Sequence, residues 1–377
     1  MNFEELGISK ELIEALSKQK ISSPTSIQSE TYNHIMSGKD VIGSSETGSG
    51  KTLAYLLPMY AKIKSDEKGV QVLIVVPTQE LAMQIHKQVQ LLSTNSNMSI
   101  LSSVAIGDGN INRQIDALKA KPQIVIGTCG RILQLIKIKK LSVHTVQTLI
   151  IDEADKMLDK TNIESLKEIR KSLMKFTQVV LFSASMDNKS IKTSELINKD
   201  PIIIRSNEKA EIPVSIKHLF VIADRKERIE TLRRIAQSLK PEKAIVFINT
   251  TYDLEESTQK LKYHHYNAEN IHGENNKIDR KNVINAFKSG KLQYLIATDI
   301  AARGLQIDGI STVINVNLPE DSKEYLHRAG RCGRNGQQGI CISIITENEL
   351  PKIKSFQKEF NINIVEKRLY EGKLVSK

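Results

Sequence analysis

The sequence SETGSGKT at residues 45–52, here called the phosphate loop, follows the apolar pair Val41 and Ile42. A glycine-rich turn lets backbone N–H groups close around phosphate oxygens, and a helix beginning near Lys51 presents its positive end to the same anion. Lys51 would reach the outer phosphates, and the Thr52 hydroxyl would hold Mg²⁺. A plain structural turn is the alternative, but this glycine, lysine and threonine pattern favours a phosphate site in an α/β domain. The predicted cradle is completed by Thr47, Gly48, Ser49 and Gly50.

A second motif, LIIDEAD at residues 149–155, places carboxylates directly after an apolar run. Side chains at the carboxyl end of a parallel strand lie where α/β sheets bind ligands. Asp152 can hold the metal ion, and Glu153 can orient and deprotonate an attacking water. Acidic residues also occur at helix N-termini for purely electrostatic reasons, so this motif alone has a structural alternative. The two motifs together, in this order, indicate a nucleoside triphosphatase.

Short apolar runs alternate with helical patterns along the chain. Continuous Val, Ile and Leu runs of this length are typical of strands that are buried on both faces of a sheet. The alternation predicts an α/β fold with two tandem domains, each a mostly parallel sheet flanked by helices. The first would span residues 1–205, the second 214–377, and the polar, aperiodic segment 206–213 would link them. The predicted strands are 71–76, 123–128, 148–152, 178–183, 244–249, 294–298, 312–317 and 341–346, and the clearest predicted helices are 164–174 and 226–239.

The charge distribution favours a polyanionic partner. The formal net charge is +11, and Lys plus Arg exceed Asp plus Glu by 26 to 21 in residues 1–205 and by 28 to 22 in residues 206–377. Positive charge shared by two domains suits a nucleic acid, although a basic protein without such a ligand remains an alternative. The chain has no Trp and only 5% aromatic residues, which disfavours base stacking and favours contacts to the nucleic-acid backbone.

Cysteine usage and the apolar pattern point to an intracellular, non-membrane protein. The three cysteines include no CxxC pair, which argues against a disulfide framework or a structural zinc site. The acidic start lacks a signal-peptide pattern, and no apolar run approaches the roughly 20 residues that a membrane span needs. We therefore expect a cytoplasmic monomer with no membrane contact. The cysteines are Cys129, Cys332 and Cys341.

The chain has both phosphate motifs, and it resembles the DEAD-box RNA helicases. The motifs of that family occur in this chain in the family's order and cover nearly its whole length. The resemblance implies two RecA-like domains, ATP and Mg²⁺ as ligands, and RNA bound mainly through its backbone. PTSIQ at residues 24–28 resembles the family's Q motif, in which Gln28 would read the adenine edge. Phe3 lies where the family has an upstream aromatic, and Gln306 replaces an Asp that contacts the ribose in the family.

The resemblance also assigns an RNA track to both halves of the chain. PTQELA at residues 77–82 and TCGR at residues 128–131 resemble segments that line RNA in the first domain, and TDIAARGL at residues 298–305 resembles one in the second. The residues that would contact RNA are Pro77, Thr78, Gly107, Thr128, Arg131, Thr250, Arg280, Thr298, Arg303 and Gly304.

The last motif, HRAGRCGR at residues 327–334, carries arginines every three residues, and this spacing predicts that they lie near one helical face. Arg331 and Arg334 would neutralise charge on the γ-phosphate when the domains close, as arginine fingers do. A solvated basic helix face is the alternative. SAS at residues 183–185 resembles the family motif that couples hydrolysis to unwinding. The predicted coupling residues are Asp155, Ser183, Ser185, His327 and Arg328.

The resemblance therefore implies an ATP-dependent RNA helicase that clamps, bends and locally unwinds RNA or remodels RNA–protein complexes. The chain departs from the family's pattern at Gln79, Cys129, Lys277 and Gln306. These departures keep open an ATP-latched RNA clamp or scaffold with little turnover. A DNA translocase with the same two-domain core is a second alternative, which a comparison of RNA with DNA of one sequence would test.

Overall fold

The structure, a computed structural model, describes residues 2–45, 49–107, 109–206, 215–272, 277–302, 307, 309–333 and 337–376. The chain divides into two compact units, Met1–Glu208 and Lys209–Lys377. Residues 207–213 of the predicted linker lie outside the described residues, so the bounds of the linker stay a prediction. Among the helices that the structure describes, none is long and apolar enough to cross a membrane.

The first unit is built around one parallel sheet. Its strands are β1 (Val41–Ser44), β2 (Val72–Val76), β3 (Ser102–Ala105), β4 (Ile124–Thr128), β5 (Thr148–Asp152), β6 (Gln178–Ser183) and β7 (Ile202–Arg205). Their order across the sheet is β3-β4-β2-β5-β6-β1-β7, and every pairing is parallel. The helices are α1 (Lys10–Ser17), α2 (Ser26–Met36), α3 (Lys51–Lys62), α4 (Gln79–Ser96), α5 (Ile111–Lys119), α6 (Cys129–Lys137), α7 (Ala154–Met157), α8 (Ile163–Ser172) and α9 (Asn188–Ser194).

Burial on both faces of this sheet explains the continuous apolar runs of its strands. On β2, Ile74 belongs to one core cluster, whereas Leu73 and Val75 belong to the cluster on the opposite face. Each such side chain is fully buried and contributes roughly 1.5–3 kcal/mol relative to exposure. The predicted bounds of β5 and β6, residues 148–152 and 178–183, are confirmed.

The second unit repeats the plan with an added hairpin. Its strands are β8 (Ile216–Ile222), β9 (Ala244–Phe247), β10 (Ala268–Ile271), β11 (Tyr294–Ala297), β12 (Thr312–Asn315), β13 (Gly339–Ile345), β14 (Ile364–Tyr370) and β15 (Lys373–Ser376). Their order is β10-β11-β9-β12-β13-β8-β14-β15, and only β14 with β15 pairs antiparallel among the strands described. The helices are α10 (Arg228–Leu239), α11 (Thr251–Tyr263), α12 (Lys277–Lys288), α13 (Asp299–Ala302), α14 (Ser322–Ala329) and α15 (Leu350–Phe360). Both units therefore have the RecA-like α/β architecture that the resemblance implied.

A buried histidine lies in the core of the second unit. His218 on β8 is 4% exposed, and its Nδ1 lies 2.8 Å from the Tyr325 hydroxyl. Its other ring nitrogen, Nε2, is buried without a hydrogen-bond partner. Burial lowers the pKa of His218 from 6.5 to about 4, because the charged imidazole would lose its hydration. The fold therefore holds this side chain in its neutral form.

We predict that His218 makes the second unit less stable in mild acid. The unfolded chain takes up a proton near pH 6.5 and the folded chain only near pH 4, so stability is full above pH 6.5 and falls as the pH drops towards 4. The expected loss between pH 7 and pH 5 is about 2 kcal/mol. Urea unfolding of His218→Asn at the two pH values should show a smaller loss than the unaltered chain. The same change at the exposed His264 should leave the loss as it is, and equal losses in all three proteins would contradict the prediction.

Candidate functional site

The sheet order of the first unit groups the predicted residues by chemistry. The nucleotide motifs follow β1 and β5, and the coupling motif SAS lies at the end of β6; these three strands are neighbours on one side of the sheet. The predicted RNA segments follow β2, β4 and β3, which are neighbours on the other side. Since all these strands are parallel, both groups emerge at the same edge, where ligands of α/β sheets bind.

The phosphate loop begins the helix that the sequence predicted. Helix α3 starts at Lys51, and Gly50 before it has φ +89°, a left-handed conformation that glycine adopts without strain. The Lys51 ammonium donates to the Ser45 carbonyl oxygen at 2.5 Å. Lys51 therefore points back along the loop rather than away from it. Thr47 and Gly48 lie outside the described residues.

Gln28 is buried against the phosphate loop. Its Nε2 donates to the Gly50 carbonyl oxygen at 3.1 Å, and its Oε1 accepts from the Thr25 backbone N–H at 3.1 Å. A Cβ atom at Gly50 would lie 2.4 Å from that Nε2. The close approach requires glycine and fixes the loop to the start of α2. Phe3, which the resemblance placed with the nucleotide-binding residues, is 3% exposed in the apolar core of this unit, so its burial supports a packing role.

Asp152 and Glu153 lie where β5 ends. Asp152 is 4% exposed, its Oδ1 accepts from the Glu153 backbone N–H at 2.8 Å, and its Oδ2 accepts from the Tyr55 hydroxyl at 2.8 Å. Burial raises the pKa of Asp152, and the nearby Lys51 charge opposes this shift. The Asp152 carboxylate and the Thr52 hydroxyl are hard oxygen donors of the kind that Mg²⁺ prefers, so the residues present fit that ion.

Glu153 has two features that the sequence did not predict. Its backbone is left-handed, with φ +52°, and such a conformation is strained for a residue with a side chain. Its carboxylate forms an ion pair with Lys156, three residues further along. The proposed base is therefore held by a partner within its own helix turn.

The first-unit coupling residues that the sequence predicted lie together. The Ser183 hydroxyl lies 2.7 Å from Asp155 Oδ1 and 2.8 Å from the Ser185 carbonyl oxygen. It also accepts from the Asp155 backbone N–H at 3.4 Å. These contacts tie the end of β6 to the turn that carries the acidic motif.

The predicted RNA residues of the first unit lie on adjacent helix starts. Thr128 precedes α6 and pairs in register with Val76 on β2, two residues before Thr78. The Thr78 hydroxyl accepts from the Leu81 backbone N–H at 3.2 Å and so caps α4. Two helix N-termini side by side present partial positive charge, which suits phosphate groups. Pro77 lies between Val76 and this cap.

Arg131 holds the loop that follows β3. Its guanidinium donates to the carbonyl oxygens of Gly107 at 2.5 Å and of Gly109 at 3.1 Å. Gln114, which sequence reasoning missed, accepts from the Ile106 backbone N–H at 3.2 Å and donates to the Ile106 carbonyl at 2.9 Å. Only the structure could reveal Gln114, because an isolated glutamine on a helix carries no signal of such a contact.

In the second unit the predicted residues follow neighbouring strands. Thr250 after β9 accepts from the Asp253 backbone N–H at 3.2 Å and caps α11. The Thr298 hydroxyl after β11 accepts from the Ala301 backbone N–H at 3.3 Å. Arg280 donates to the Ala301 carbonyl oxygen at 2.9 Å. Arg303, Gly304, Gln306 and Arg334 lie outside the described residues.

The prediction that the arginines of this motif share a helical face is wrong for Arg331. Helix α14 ends at Ala329, Gly330 caps it, and Arg331 lies in the following turn. His327 remains inside the helix. Glycine weakens a helix interior, so the glycine at 330 ends the periodicity that the spacing suggested.

Arg328 is buried in the second unit and forms hydrogen bonds to several of its segments. It is 2% exposed and donates to both Asp299 carboxylate oxygens, at 2.7 Å and 2.5 Å. It also donates to Asn249 Oδ1 at 3.2 Å and to the Asn317 carbonyl at 2.8 Å, and its guanidinium lies 4.9 Å from the centre of the Phe247 ring. Arg328 thereby joins the segments that follow β9, β11 and β12.

Tyr55 is the residue near the nucleotide motifs that sequence reasoning missed. It is fully buried, and its ring packs on Phe182 with 5.6 Å between ring centres. Burial, and then the charge of Asp152, raises the pKa of its phenol well above the usual range. The hydroxyl therefore stays protonated and remains a hydrogen-bond donor.

Two family models match the chain. The model described as DEAD/DEAH box helicase matches residues 25–194, and the helicase conserved C-terminal domain matches residues 227–336. The chain is 38% identical to the DEAD-box ATP-dependent RNA helicase CshC of Bacillus cereus, over 97% of this chain and 92% of the relative. It is 35% identical to the probable ATP-dependent RNA helicase YfmL of Bacillus subtilis, over 94% and 93% respectively.

Solved structures show the same similarity. The chain is 27% identical to S. cerevisiae Dbp5 bound to RNA and ADP BeF3, with a TM-score of 0.83 over 97% of this chain and 95% of that one. It is 26% identical to Mss116p bound to ssRNA and AMP-PNP, with a TM-score of 0.81 over 97% and 78%.

Proposed function

Because the chain belongs to the DEAD/DEAH box helicase family, we propose that it is an ATP-dependent RNA helicase that unwinds RNA locally or remodels RNA–protein complexes. The observation that carries this proposal is that both groups of motifs lie at the carboxyl ends of the strands of the first sheet. The nucleotide motifs after β1 and β5, and the coupling motif at the end of β6, lie beside the predicted RNA segments after β2, β4 and β3. One parallel sheet can thus present a phosphate site and an RNA site to adjacent ligands.

In the nucleotide site, Mg²⁺ held by Thr52 and Asp152 would neutralise charge on the phosphate oxygens. Lys51 would leave the Ser45 carbonyl and donate to the outer phosphates instead. Glu153 would accept a proton from the attacking water once its carboxylate turns from Lys156 towards that water. The Asp155–Ser183 contact would pass changes at this site to β6.

In the RNA site, contacts would be made to the sugar-phosphate backbone. Thr78 and Thr128 lie at helix starts whose N–H groups favour anions, and Arg131 and the Gly107 loop lie beside them. The second unit would contribute Thr250, Arg280, Thr298, Arg303 and Gly304. Arg331 and Arg334 would supply positive charge to the γ-phosphate, whereas buried Arg328 would position its neighbours.

RNA-stimulated phosphate release tests this function directly. The full chain with ATP and Mg²⁺ should release phosphate faster when single-stranded RNA is added, and DNA of the same sequence should stimulate less. ATP and RNA binding without stimulated release would support the ATP-latched clamp instead. Equal stimulation by RNA and DNA would support the DNA translocase.

Arg131→Gln should weaken the response to RNA. The loss of two charge-assisted hydrogen bonds frees the Gly107–Gly109 loop, so the RNA concentration for half-maximal ATP hydrolysis should rise about tenfold. The rate at saturating RNA should change less than about twofold, because the nucleotide motifs are untouched. The matched control is Arg113→Gln at an exposed position of α5. An unchanged half-maximal RNA concentration in the Arg131 variant would rule out its role.

A further inference from the structure

Tyr55 contacts one of the two residues that would hold the metal ion and lies on the same helix as the other. It lies on α3, one turn after Thr52, and its hydroxyl donates to Asp152 Oδ2 at 2.8 Å. A single buried hydroxyl group therefore connects the start of α3 to the end of β5.

We propose that Tyr55 is a positioning residue for Mg²⁺, which holds the Asp152 carboxylate in one orientation before the ion binds. This inference rests on the proposed function and deepens it. It adds a residue that touches neither the nucleotide nor the reacting atoms. Pre-arranged ligands raise metal affinity, because their side-chain freedom is already lost before binding.

The geometry leaves Asp152 able to bind the ion. Each of its oxygens accepts one hydrogen bond, from the Glu153 backbone N–H or from Tyr55, and each has a second lone pair available. The two bonds lie at opposite ends of the carboxylate, so together they stop its rotation. Without Tyr55, only the bond to its own neighbouring backbone group would orient Asp152.

Packing alone does not require the Tyr55 hydroxyl. The ring is fully buried and packs on Phe182, and phenylalanine would fill the same volume. Tyr60 on the same helix offers a comparison, since it is 1% exposed and its hydroxyl donates to the Val89 carbonyl oxygen at 2.6 Å. The two hydroxyl groups differ in their partners, because that of Tyr55 donates to the Asp152 carboxylate and that of Tyr60 to a backbone carbonyl oxygen.

The test measures nucleotide binding rather than hydrolysis. ADP with a fluorescent ribose label is titrated into the full-length chain in EDTA and at increasing Mg²⁺ concentrations. For Tyr55→Phe, the Mg²⁺ concentration that gives half of the gain in ADP affinity should rise about tenfold, as expected for a lost bond to a charged group. The affinity in EDTA should stay within about twofold, because Mg²⁺ is absent there.

Tyr60→Phe is the matched control, because it removes a buried hydroxyl from the same helix. Its Mg²⁺ dependence should equal that of the unaltered chain. An unchanged Mg²⁺ dependence in Tyr55→Phe, or equal shifts in both variants, would overturn the proposal. If the unaltered chain bound ADP without any effect of Mg²⁺, the proposed nucleotide site itself would fail, which separates the two conclusions.

Discussion

Replacing Glu153 by Gln should lower RNA-stimulated phosphate release by about 10²–10⁴-fold, the usual contribution of a positioned general base. The amide has nearly the shape of the carboxylate but cannot take a proton from water. ATP and RNA should still bind, because Lys51, Thr52 and Asp152 are unchanged. Single-turnover phosphate release, measured beside equilibrium binding of both ligands, separates the chemical step from affinity.

Glu164→Gln is the control for this substitution. Glu164 lies in the first turn of α8 and pairs with Lys167 three residues later, the same spacing as Glu153 and Lys156. The control removes an equivalent ion pair away from the nucleotide motifs, and surface pairs of this kind contribute less than about 1 kcal/mol. Near-normal release in the Glu153 variant, or an equal loss in both variants, would exclude Glu153 as the base.

The Glu153 backbone indicates why the sequence could not predict this geometry. A left-handed residue with a side chain is held in place by its surroundings, here by the buried Asp152 before it and the helix turn after it. Residue type and spacing predicted the acid and its neighbour correctly as a pair after a strand. They contain no information on φ, or on the contact with Lys156.

Runs buried on both faces were the most predictable elements. Strands β5 and β6 match their predicted bounds because every residue in them is buried. Two strands at or next to a sheet edge were not predicted. The edge strand β7 has one buried residue in four, and β14, next to the edge strand β15, has one in seven, so neither shows a continuous apolar run. A local sequence pattern indicates which side chains are buried, whereas strands near a sheet edge are stabilised mainly by pairing with a neighbouring strand.

The sequence could not predict polar contacts between residues that are far apart in the chain. Tyr55 and Asp152 are separated by 97 residues, and Arg328 and Asp299 by 29. The arginine spacing of the last motif suggested a shared helical face, but the chain leaves the helix at Gly330. Periodicity therefore misplaced Arg331, and it contained no information on the burial of Arg328, which depends on acceptors from three separate segments.

Arg328→Ala should destabilise the second unit by about 3–5 kcal/mol, the range for breaking a buried ion pair. The substitution leaves the Asp299 carboxylate, which is 20% exposed, without its bidentate partner. It also removes donors from Asn249 and from the Asn317 carbonyl, and the cation from the face of Phe247. The expected loss is a large share of the stability of a typical domain.

Hydrogen exchange of the full chain can locate this loss. Amides in β9, β11 and β12 should exchange about a hundredfold faster or more, since 1.4 kcal/mol corresponds to a factor of ten. Amides in β5 and β6 of the first unit should keep their rates. Arg233→Ala serves as the control, because Arg233 pairs with a Glu230 side chain that is 41% exposed, and such pairs contribute less than about 1 kcal/mol.

A paired substitution distinguishes a structural role for Arg328 from a direct one. Arg328→Met combined with Asp299→Asn removes both charges, so no unpaired carboxylate remains and much of the protection in β9, β11 and β12 should return. Exchange rates in Arg328→Ala that equal those of the unaltered chain would contradict the structural role. Recovered protection with no recovery of RNA-stimulated hydrolysis would show that the guanidinium also positions the motif residues around it, which fits its contacts to the segments after β9, β11 and β12.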